Sequence, residues 1–320
     1  MPFPKKILAL FILCGLSLAV SAQKRLPGDK PRVIVQIVVG QMRADYLLRF
    51  KENLTEEGFR MFSDEGAFCH NARYQFMLTQ TTPGLATIST GANPSQHGIP
   101  SDTWFDRVNN KIHKACHDGR HYPVGSNDDN LSKSPKDLVA STFGDELKLL
   151  SSKSKIFGVS FDPEPAILLS GHNSDGAYWF DALSGKFVTS SYYAESLPFW
   201  VVEFNNKNFA NIYLENNWET LFPVNQYTLA NGARAKSSGT PHVLAKGKKA
   251  NGKRKADYGT LRETPYGDNI AKDFAISLIA EEGLGKDEAT DLLSIYFGGL
   301  RDIGDKYGTM SLELEDAFYR

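Results

Sequence analysis

Apolar runs long enough for buried strands recur along the chain. The run from Val33 to Val39 is interrupted only by Gln36, and 155–161 and 292–297 have a similar composition. Near-continuous apolar runs of this length are typical of strands buried on both faces of a parallel sheet. Two shorter runs within 178–193 flank a Leu-Ser-Gly turn and predict a β-hairpin.

Helix-like segments separate these strands. The pattern predicts a helix over about 45–62 and an amphipathic helix over 268–282. Between them, Ser134 followed by Pro135 predicts the start of a helix that ends at about Leu150. Strand and helix patterns that alternate in this way predict a layered α/β domain, in which the helices cover the faces of the sheet.

The sequence begins like a secretory signal peptide, predicted over residues 1–22. Two lysines supply the positive charge, residues 7–20 form the apolar run, and Val-Ser-Ala before Gln23 is a cleavage site of small residues. The run is shorter than the ~20 apolar residues that a membrane-spanning helix needs. A lipoprotein signal through Cys14 is the alternative. We therefore expect an exported protein that is periplasmic or secreted.

The mature chain, 23–320, is long enough for one large domain or two small ones. The formal net charge of −1 argues against nucleic acid or a membrane as a partner of the whole protein. No later segment has the length and apolarity of a transmembrane helix. Cleavage leaves two cysteines, Cys69 and Cys116, which in an oxidising compartment either form a disulfide or remain free thiols.

One segment of the mature chain is strongly basic. Residues 231–259 contain eight Lys or Arg and one acid, Asp257, among many small residues. This composition is typical of a solvated loop. The alternative is a binding site for an anionic ligand or surface. Apart from that possibility, the sequence identifies no partner.

Several short motifs follow one another in a fixed order along the chain: Gly40-Gln41-Met42-Arg43 after the first strand, 79–84, Ser89-Thr90-Gly91, His97-Gly98-Ile99, Gly171-His172-Asn173 with 176–181, and 285–288 with Ile303-Gly304. Together they resemble the alkaline phosphatase superfamily, in particular its type I phosphodiesterase/nucleotide pyrophosphatase branch and the flavobacterial-type alkaline phosphatases. The resemblance covers essentially the whole mature chain. It implies an αβα sandwich with a mostly parallel central sheet, C-terminally truncated, because further family sequence and zinc ligands would follow Arg320.

The same resemblance implies a chemistry. Family members hydrolyse phosphate esters with two zinc ions, which polarise the phosphoryl group and activate a hydroxyl or water. The nucleophile is a Thr or Ser at a helix N-terminus, where free N–H groups favour an anion. Thr81 matches that position and keeps the hydroxyl. Judged from the residues alone, Thr81 is also compatible with an ordinary helix cap.

The positions of the zinc ligands depart from the family pattern. Gly40 stands where the family has a zinc-binding Asp. In the family's D-x-x-G-H motif, Arg301 replaces the Asp and Asp305 replaces the His. Asp302 is one residue away, but on a predicted strand end this shift turns its side chain to the other face. We therefore predict that this chain binds no metal cofactor.

The positions of the phosphate contacts depart as well. Asp102 stands where the family has an Asn, and Asp162 and Glu164 stand where the enzymes most similar in motif have a Lys and an Arg. Carboxylates at these positions would repel a phosphate dianion. We predict that Arg301 pairs with Asp102, Asp162 or Glu164, so that an ion-pair cluster replaces the metal site. The alternative is unrelated drift, with these side chains in solvent.

Other candidate sites carry weaker signals. His113, His117 and His121 recur every four residues around Cys116, but Asn109-Asn110 and Asp118-Gly119 favour a hairpin or loop over a zinc-binding helix. His172 matches a family residue that we expect to be hydrogen-bonded and structural. The sequence therefore predicts an exported, catalytically inactive relative of zinc-dependent phosphatases that acts in binding or structure. The alternatives are an active hydrolase that uses Thr81 and a non-functional truncated reading frame.

Overall fold

The computed structural model describes residues 30–228, 249–250, 253–254 and 256–320. The predicted signal peptide, residues 1–22, lies outside the described residues, and so does most of the basic segment 231–259. Residues Arg32–Arg320 belong to one compact unit. In the described part, no helix combines the length and apolarity needed to cross a membrane.

The strands are, in chain order, β1 (Val33–Val39), β2 (Thr103–Asp106), β3 (Lys111–Lys114), β4 (Pro123–Val124), β5 (Ile156–Ser160), β6 (Gly176–Asp181), β7 (Lys186–Ser190), β8 (Lys249–Ala250), β9 (Lys253–Arg254) and β10 (Asp291–Phe297). The main sheet has the order β1-β10-β5-β6-β7-β4. The first four strands in this order, β1, β10, β5 and β6, are parallel to one another. Strand β7 is antiparallel to both of its neighbours, β6 and β4. The three predicted strands and the predicted hairpin are therefore confirmed, and the sheet is mostly parallel.

The helices are, in chain order, α1 (Tyr46–Arg49), α2 (Phe59–Glu65), α3 (Thr81–Thr90), α4 (Pro94–His97), α5 (Phe143–Leu150), α6 (Pro163–Ser170), α7 (Phe199–Asn206), α8 (Phe209–Glu215), α9 (Pro265–Glu282), α10 (Gly299–Tyr307) and α11 (Leu312–Tyr319). Short 3₁₀ turns cover Lys51–Asn53, Asp129–Leu131, Val224–Gln226 and Tyr258–Glu263. Helix α6 packs closely on one face of the sheet, because Gly158 has no side chain to meet the Ala166 carbonyl oxygen. Helix α9 covers the other face, where Phe274 stacks on Phe187. Helices on both faces confirm the α/β sandwich.

Two predicted helices differ from the structure. The segment 45–62 is divided into α1, a 3₁₀ turn and the start of α2, because the backbone is extended at Leu54 and left-handed at Gly58. The predicted helix start at Ser134 is wrong, since the Ser134 hydroxyl instead donates to the buried Asp118 carboxylate at 2.7 Å. Helix α5 begins only after Thr142, which forms a capping box with Asp145.

Strand β1 is less buried than its apolar composition predicts. It lies at one edge of the sheet, paired with β10 alone among the described strands. Val33, Val35 and Ile37 share one face and are 36%, 43% and 51% exposed. The other face is partly covered, and there Gln36 accepts a hydrogen bond from the Ser294 hydroxyl at 2.9 Å. The prediction of burial on both faces was therefore wrong for β1.

His172 is hydrogen-bonded, as predicted, and each of its ring nitrogens lies close to an acceptor oxygen. Nδ1 lies 2.9 Å from an Asp145 carboxylate oxygen, and Nε2 lies 2.8 Å from the Leu138 carbonyl oxygen. Because neither partner can donate, this geometry favours the protonated ring, which can donate from both nitrogens. The hydrogen bond to Asp145 is the main cause that raises the pKa of His172. The interaction ties α5 to the loop after α6.

This geometry makes the stability of the fold depend on pH. The folded-state pKa of His172 lies above its unfolded value, so its contribution is complete below the unfolded pKa of about 6.5 and is lost as pH rises through the folded pKa. We expect the free energy of unfolding to fall by about 1 kcal/mol over that window. Urea midpoints measured across this pH range should decrease in the parent and change less in His172→Gln. Equal slopes in both proteins would contradict the protonated state.

Candidate functional site

The carboxyl ends of β1, β10 and β5 meet at one edge of the sheet, the place where open α/β folds bind ligands. Gly40 directly follows β1, and its N–H donates to the Phe297 carbonyl oxygen at 2.8 Å. Strand β10 leads directly into α10, which carries Arg301, and β5 leads into the turn that carries Asp162. The fold therefore brings together three of the positions that the sequence analysis identified as altered.

Arg301 forms ion pairs with two carboxylates. Its Nη2 lies 2.8 Å from Asp162 Oδ2, and its Nε lies 2.8 Å from Asp302 Oδ1. The three side chains are only 15–19% exposed. The prediction that Arg301 pairs with Asp162 is confirmed. The assignment of Asp302 to the opposite face was wrong, because this segment is the first turn of a helix and not the end of a strand.

A second guanidinium binds Asp162. Arg262 Nη2 lies 2.6 Å from Asp162 Oδ1, and it comes from the 3₁₀ turn 258–263, distant in sequence. Burial alone would raise the pKa of Asp162, but the charges of Arg262 and Arg301 outweigh burial and hold the pKa below its usual value. Arg262 was not predicted from the sequence. The only indication of this arginine in the sequence was that Asp162, a carboxylate in place of a lysine, would need a cation nearby.

Asp268 is the second residue of this site that sequence reasoning missed. It lies in the first turn of α9, and both of its carboxylate oxygens lie 3.1 Å from the Gly299 nitrogen, whose N–H they accept at the start of α10. Burial raises the pKa of Asp268 to about 7, although hydrogen bonds from the backbone oppose the rise. Asp268 lines one crevice with Asp162, Arg262 and Asp302. Together with Arg301, which pairs with Asp162 and Asp302, the two guanidinium groups offset these two carboxylates.

Tyr296 fills the space in which a side chain at position 40 would begin. A Cβ atom on Gly40 would lie 2.9 Å from Tyr296 Cζ and closer still to the hydroxyl oxygen. Tyr296 is 2% exposed, and burial raises its pKa to about 12, so the phenol is neutral. Its hydroxyl oxygen is 3.5 Å from Arg301 Nη1. A phenol and a guanidinium therefore occupy the corner beside Gly40.

The residues at this edge of the sheet do not fit zinc. Protein zinc sites use Cys, His or carboxylate ligands in a roughly tetrahedral arrangement. Gly40 offers no ligand atom, Arg301 is a cation, and Asp305 is exposed and accepts a hydrogen bond from Gln41 Nε2 at 3.3 Å. Within the described ranges, no three His, Cys, Asp or Glu side chains are arranged to hold a metal ion.

The histidines around Cys116 do not form a metal site either. Strands β2 and β3 form a hairpin, as the asparagine and glycine signals predicted, and His113 Nε2 lies 2.8 Å from Asp137 Oδ2. Cys116 is buried, and burial raises the pKa of its thiol. Cys116 and the exposed Cys69 are both free, so the disulfide alternative is wrong.

Thr81 is the first residue of α3, the position expected of the family nucleophile. The neighbouring Thr82 binds Asp102, since its N–H and its hydroxyl both donate to Asp102 Oδ1 at 2.8 Å. Gln80 fixes this arrangement by accepting from the Asp102 N–H at 2.9 Å. The amides of a helix N-terminus favour an anion. A carboxylate of the chain itself takes that place beside Thr81.

Glu164 lies apart from the Arg301 cluster. Its carboxylate is 2.7 Å from the nitrogen of Lys133, whose side chain is only 5% exposed. Asp102 and Glu164 each have a partner of their own, so neither is the partner of Arg301. The predicted replacement cluster therefore forms through Asp162, with Arg262 and Asp302 as further members.

Comparison with known proteins identifies relatives of this chain. The sequence profile of the family described as type I phosphodiesterase/nucleotide pyrophosphatase matches residues 34–320. Alkaline phosphatase PafA of Elizabethkingia meningoseptica is 35% identical over 99% of this chain and 59% of its own length. Alkaline phosphatase PhoV of Synechococcus elongatus is 33% identical over 91% of this chain and 54% of its own length.

The fold is also similar to a solved structure. The crystal structure of wild-type alkaline phosphatase PafA superposes with a TM-score of 0.82 at 34% sequence identity. The superposition covers 91% of this chain and 57% of that chain. The chain thus spans a little over half the length of the relatives that it matches. The described residues correspond to one part of the alkaline phosphatase fold.

Proposed function

The chain belongs to the type I phosphodiesterase/nucleotide pyrophosphatase family, and on this premise we propose that it is an exported member that does not hydrolyse phosphate esters and acts as a binding or structural protein. The relatives named above are alkaline phosphatases. Family chemistry depends on metal ions that polarise the phosphoryl group. In this chain, we propose, a stable cluster of ion pairs stands in place of the metal ions.

The ion pairs of Arg301 carry the proposal. Its guanidinium is bound to Asp162 and Asp302, at 2.8 Å each. A guanidinium cannot coordinate a phosphoryl oxygen as a Lewis acid, and it does not lower the pKa of a bound water as zinc does. Because Tyr296 fills the space beside Gly40, a ligand side chain has no room there without a shift of the phenol. These features favour an inactive centre.

The surroundings of Thr81 support the same conclusion. Asp102 is bound at the N-terminus of α3, so a phosphate dianion would have to displace a carboxylate from the backbone amide. Asp162 and Glu164 stand where the enzymes most similar in motif have a Lys and an Arg, and both carboxylates are already paired. Binding of a phosphate ester next to Thr81 is therefore opposed by charge as well as by the missing ligands.

We expect the purified mature protein, after dialysis against trace zinc, to retain no stoichiometric zinc. We also expect it to hydrolyse aryl phosphate monoesters and diesters no faster than the uncatalysed background, with or without Thr81→Ala. A hydroxyl that lacks a Lewis acid or a neighbouring base is a poor nucleophile. Elemental analysis measures the metal, and release of the chromogenic phenol measures the rate.

Alkaline phosphatase PafA, treated and assayed in parallel, is the positive control. Stoichiometric zinc together with a rate that Thr81→Ala abolishes would overturn the proposal. That result would favour the alternative of an active hydrolase that uses Thr81 as its nucleophile. A rate that Thr81→Ala leaves unchanged would indicate a contaminating phosphatase, which a repeat with re-purified protein would identify.

A further inference from the structure

The hairpin of β2 and β3 forms a two-stranded sheet separate from the main sheet. One of its faces is anchored, because the Trp104 ring packs on the His113 ring at 4.7 Å and His113 is bonded to Asp137. Its base is also fixed, since the Ala115 N–H donates to the Asp102 carbonyl oxygen at 3.0 Å. One face and the base of the hairpin are therefore bound to the rest of the protein, whereas the other face and the turn are exposed to solvent.

The open face and the turn are apolar. Phe105 and Ile112 lie directly opposite each other on the two strands and are 56% and 72% exposed. Val108, in the turn, is 93% exposed. Single exposed apolar side chains are common on soluble proteins. Three of them grouped on one short hairpin point to a partner that accepts apolar groups.

Cations accompany these apolar side chains. Arg107, Lys111 and Lys114 are all exposed, and Lys114 shares a face with the apolar pair because strand residues two apart point the same way. In the region that the structure covers, these three cations have no ion-pair partner. The acidic residue of the hairpin, Asp106, accepts a hydrogen bond from Asn109 Nδ2 at 2.6 Å and so stabilises the turn. The hairpin thus combines an apolar tip with a net positive charge.

We propose that this hairpin binds the surface of a lipid bilayer that contains anionic lipids. The apolar tip enters the interface, and the three cations lie at the level of the headgroups. Acyl chains accept apolar side chains without a complementary shape. Nucleic acid would engage the cations but leave Val108 and Ile112 in water. A protein partner would need about 1,000 Å² of complementary surface, which three side chains do not provide.

The test measures co-sedimentation with two kinds of vesicle, phosphatidylcholine alone and phosphatidylcholine mixed with phosphatidylglycerol. The protein is the chain from Gln23 onward, which keeps the compact unit Arg32–Arg320 and omits the apolar run 7–20, a segment that would bind lipid by itself. We expect binding to the mixed vesicles and none to phosphatidylcholine alone. This outcome does not depend on whether the protein hydrolyses phosphate esters.

Two pairs of substitutions separate the apolar from the electrostatic contribution. Val108→Asp with Ile112→Asp should weaken binding roughly tenfold or more, because two apolar side chains leave the interface. Lys111→Glu with Lys114→Glu should weaken it at least about tenfold, since each cation near an anionic surface contributes about fivefold. All of these side chains are exposed, so folding is expected to be retained, and circular dichroism checks it.

The matched control is Leu48→Asp with Leu150→Asp. It adds the same charge at apolar positions that are 81% and 85% exposed, outside the hairpin, and it should leave binding unchanged. Failure of the parent to bind mixed vesicles would overturn the proposal, and so would an equal loss in the control. Binding that depends on Lys111 and Lys114 but not on Val108 and Ile112 would also overturn it and would favour nucleic acid, tested with an oligonucleotide.

Discussion

Arg301→Met is expected to lower the free energy of unfolding by about 3 kcal/mol. The substitution removes the cation that binds Asp162 and Asp302 and leaves both carboxylates in a partly buried crevice. Removing one partner of a buried ion pair typically costs ~3–5 kcal/mol, and the lower end applies because Arg262 remains bound to Asp162. Arg301→Asp should cost more, since it adds a negative charge. Urea denaturation measures both variants against the parent.

Lys306→Met is the matched control on the same helix. The ion pair of Lys306 with Glu263 joins side chains that are 46% and 38% exposed, so its loss should change the free energy by no more than about 1 kcal/mol. Adding Asp302→Asn to Arg301→Met should recover part of the stability, because one unpaired carboxylate is removed. Equal midpoints for Arg301→Met and Lys306→Met would mean that the cluster contributes no more than a surface ion pair.

Gly40→Ala is expected to destabilise the protein by about 1–3 kcal/mol, the usual cost of overpacking a filled interior. The added methyl group would overlap the Tyr296 hydroxyl group and ring edge. Tyr296 cannot easily withdraw, because it is buried and packed within the core between the sheet and α6. The change in the urea midpoint, with the slope unchanged, measures the effect.

A double-mutant cycle tests whether Tyr296 is the cause. In a Tyr296→Leu background, Gly40→Ala should cost close to nothing, whatever Tyr296→Leu costs by itself. Gly119→Ala is the control, because no atom lies within 4 Å of the added Cβ at that exposed position, and the change should stay within about 0.5 kcal/mol. An unchanged cost of Gly40→Ala in the Tyr296→Leu background would show that the phenol does not fill this space.

The buried strands of the fold could be predicted from the sequence because each one is a local pattern. The runs at 33–39, 155–161 and 292–297 carry the parallel sheet, and the apolar composition of the last two reflects helices on both faces. Exposure of one face of β1 could not be predicted, since it depends on what lies next to the strand in space. The helix start at Ser134 failed for a similar reason: its hydroxyl is used by the distant Asp118.

The candidate site was predictable only at the positions that a motif marks. Replacement of expected ligands by Gly40 and Arg301 identified the altered centre and one ion pair, with Asp162. Arg262 and Asp268 also reach the crevice, from segments about a hundred residues after Asp162 in the sequence. No local pattern marks either residue. The secondary structure at Asp302 decided its direction, because consecutive side chains alternate on a strand but turn through about 100° on a helix.

Among the described strands β1 pairs with β10 alone, and its other edge bears on how these residues behave in concentrated solution. The Arg32 carbonyl oxygen accepts a hydrogen bond from the first residue of β10, and the Gly40 N–H donates one to the last. Because backbone groups alternate in direction along a strand, those of Val33, Val35 and Ile37 point away from β10. An apolar edge of this kind is a template for pairing between molecules. Lys30 and Arg32, both exposed, act as charged gatekeepers at its start. Salt screens such charges, so we expect the colloidal stability of this protein to decrease as ionic strength rises.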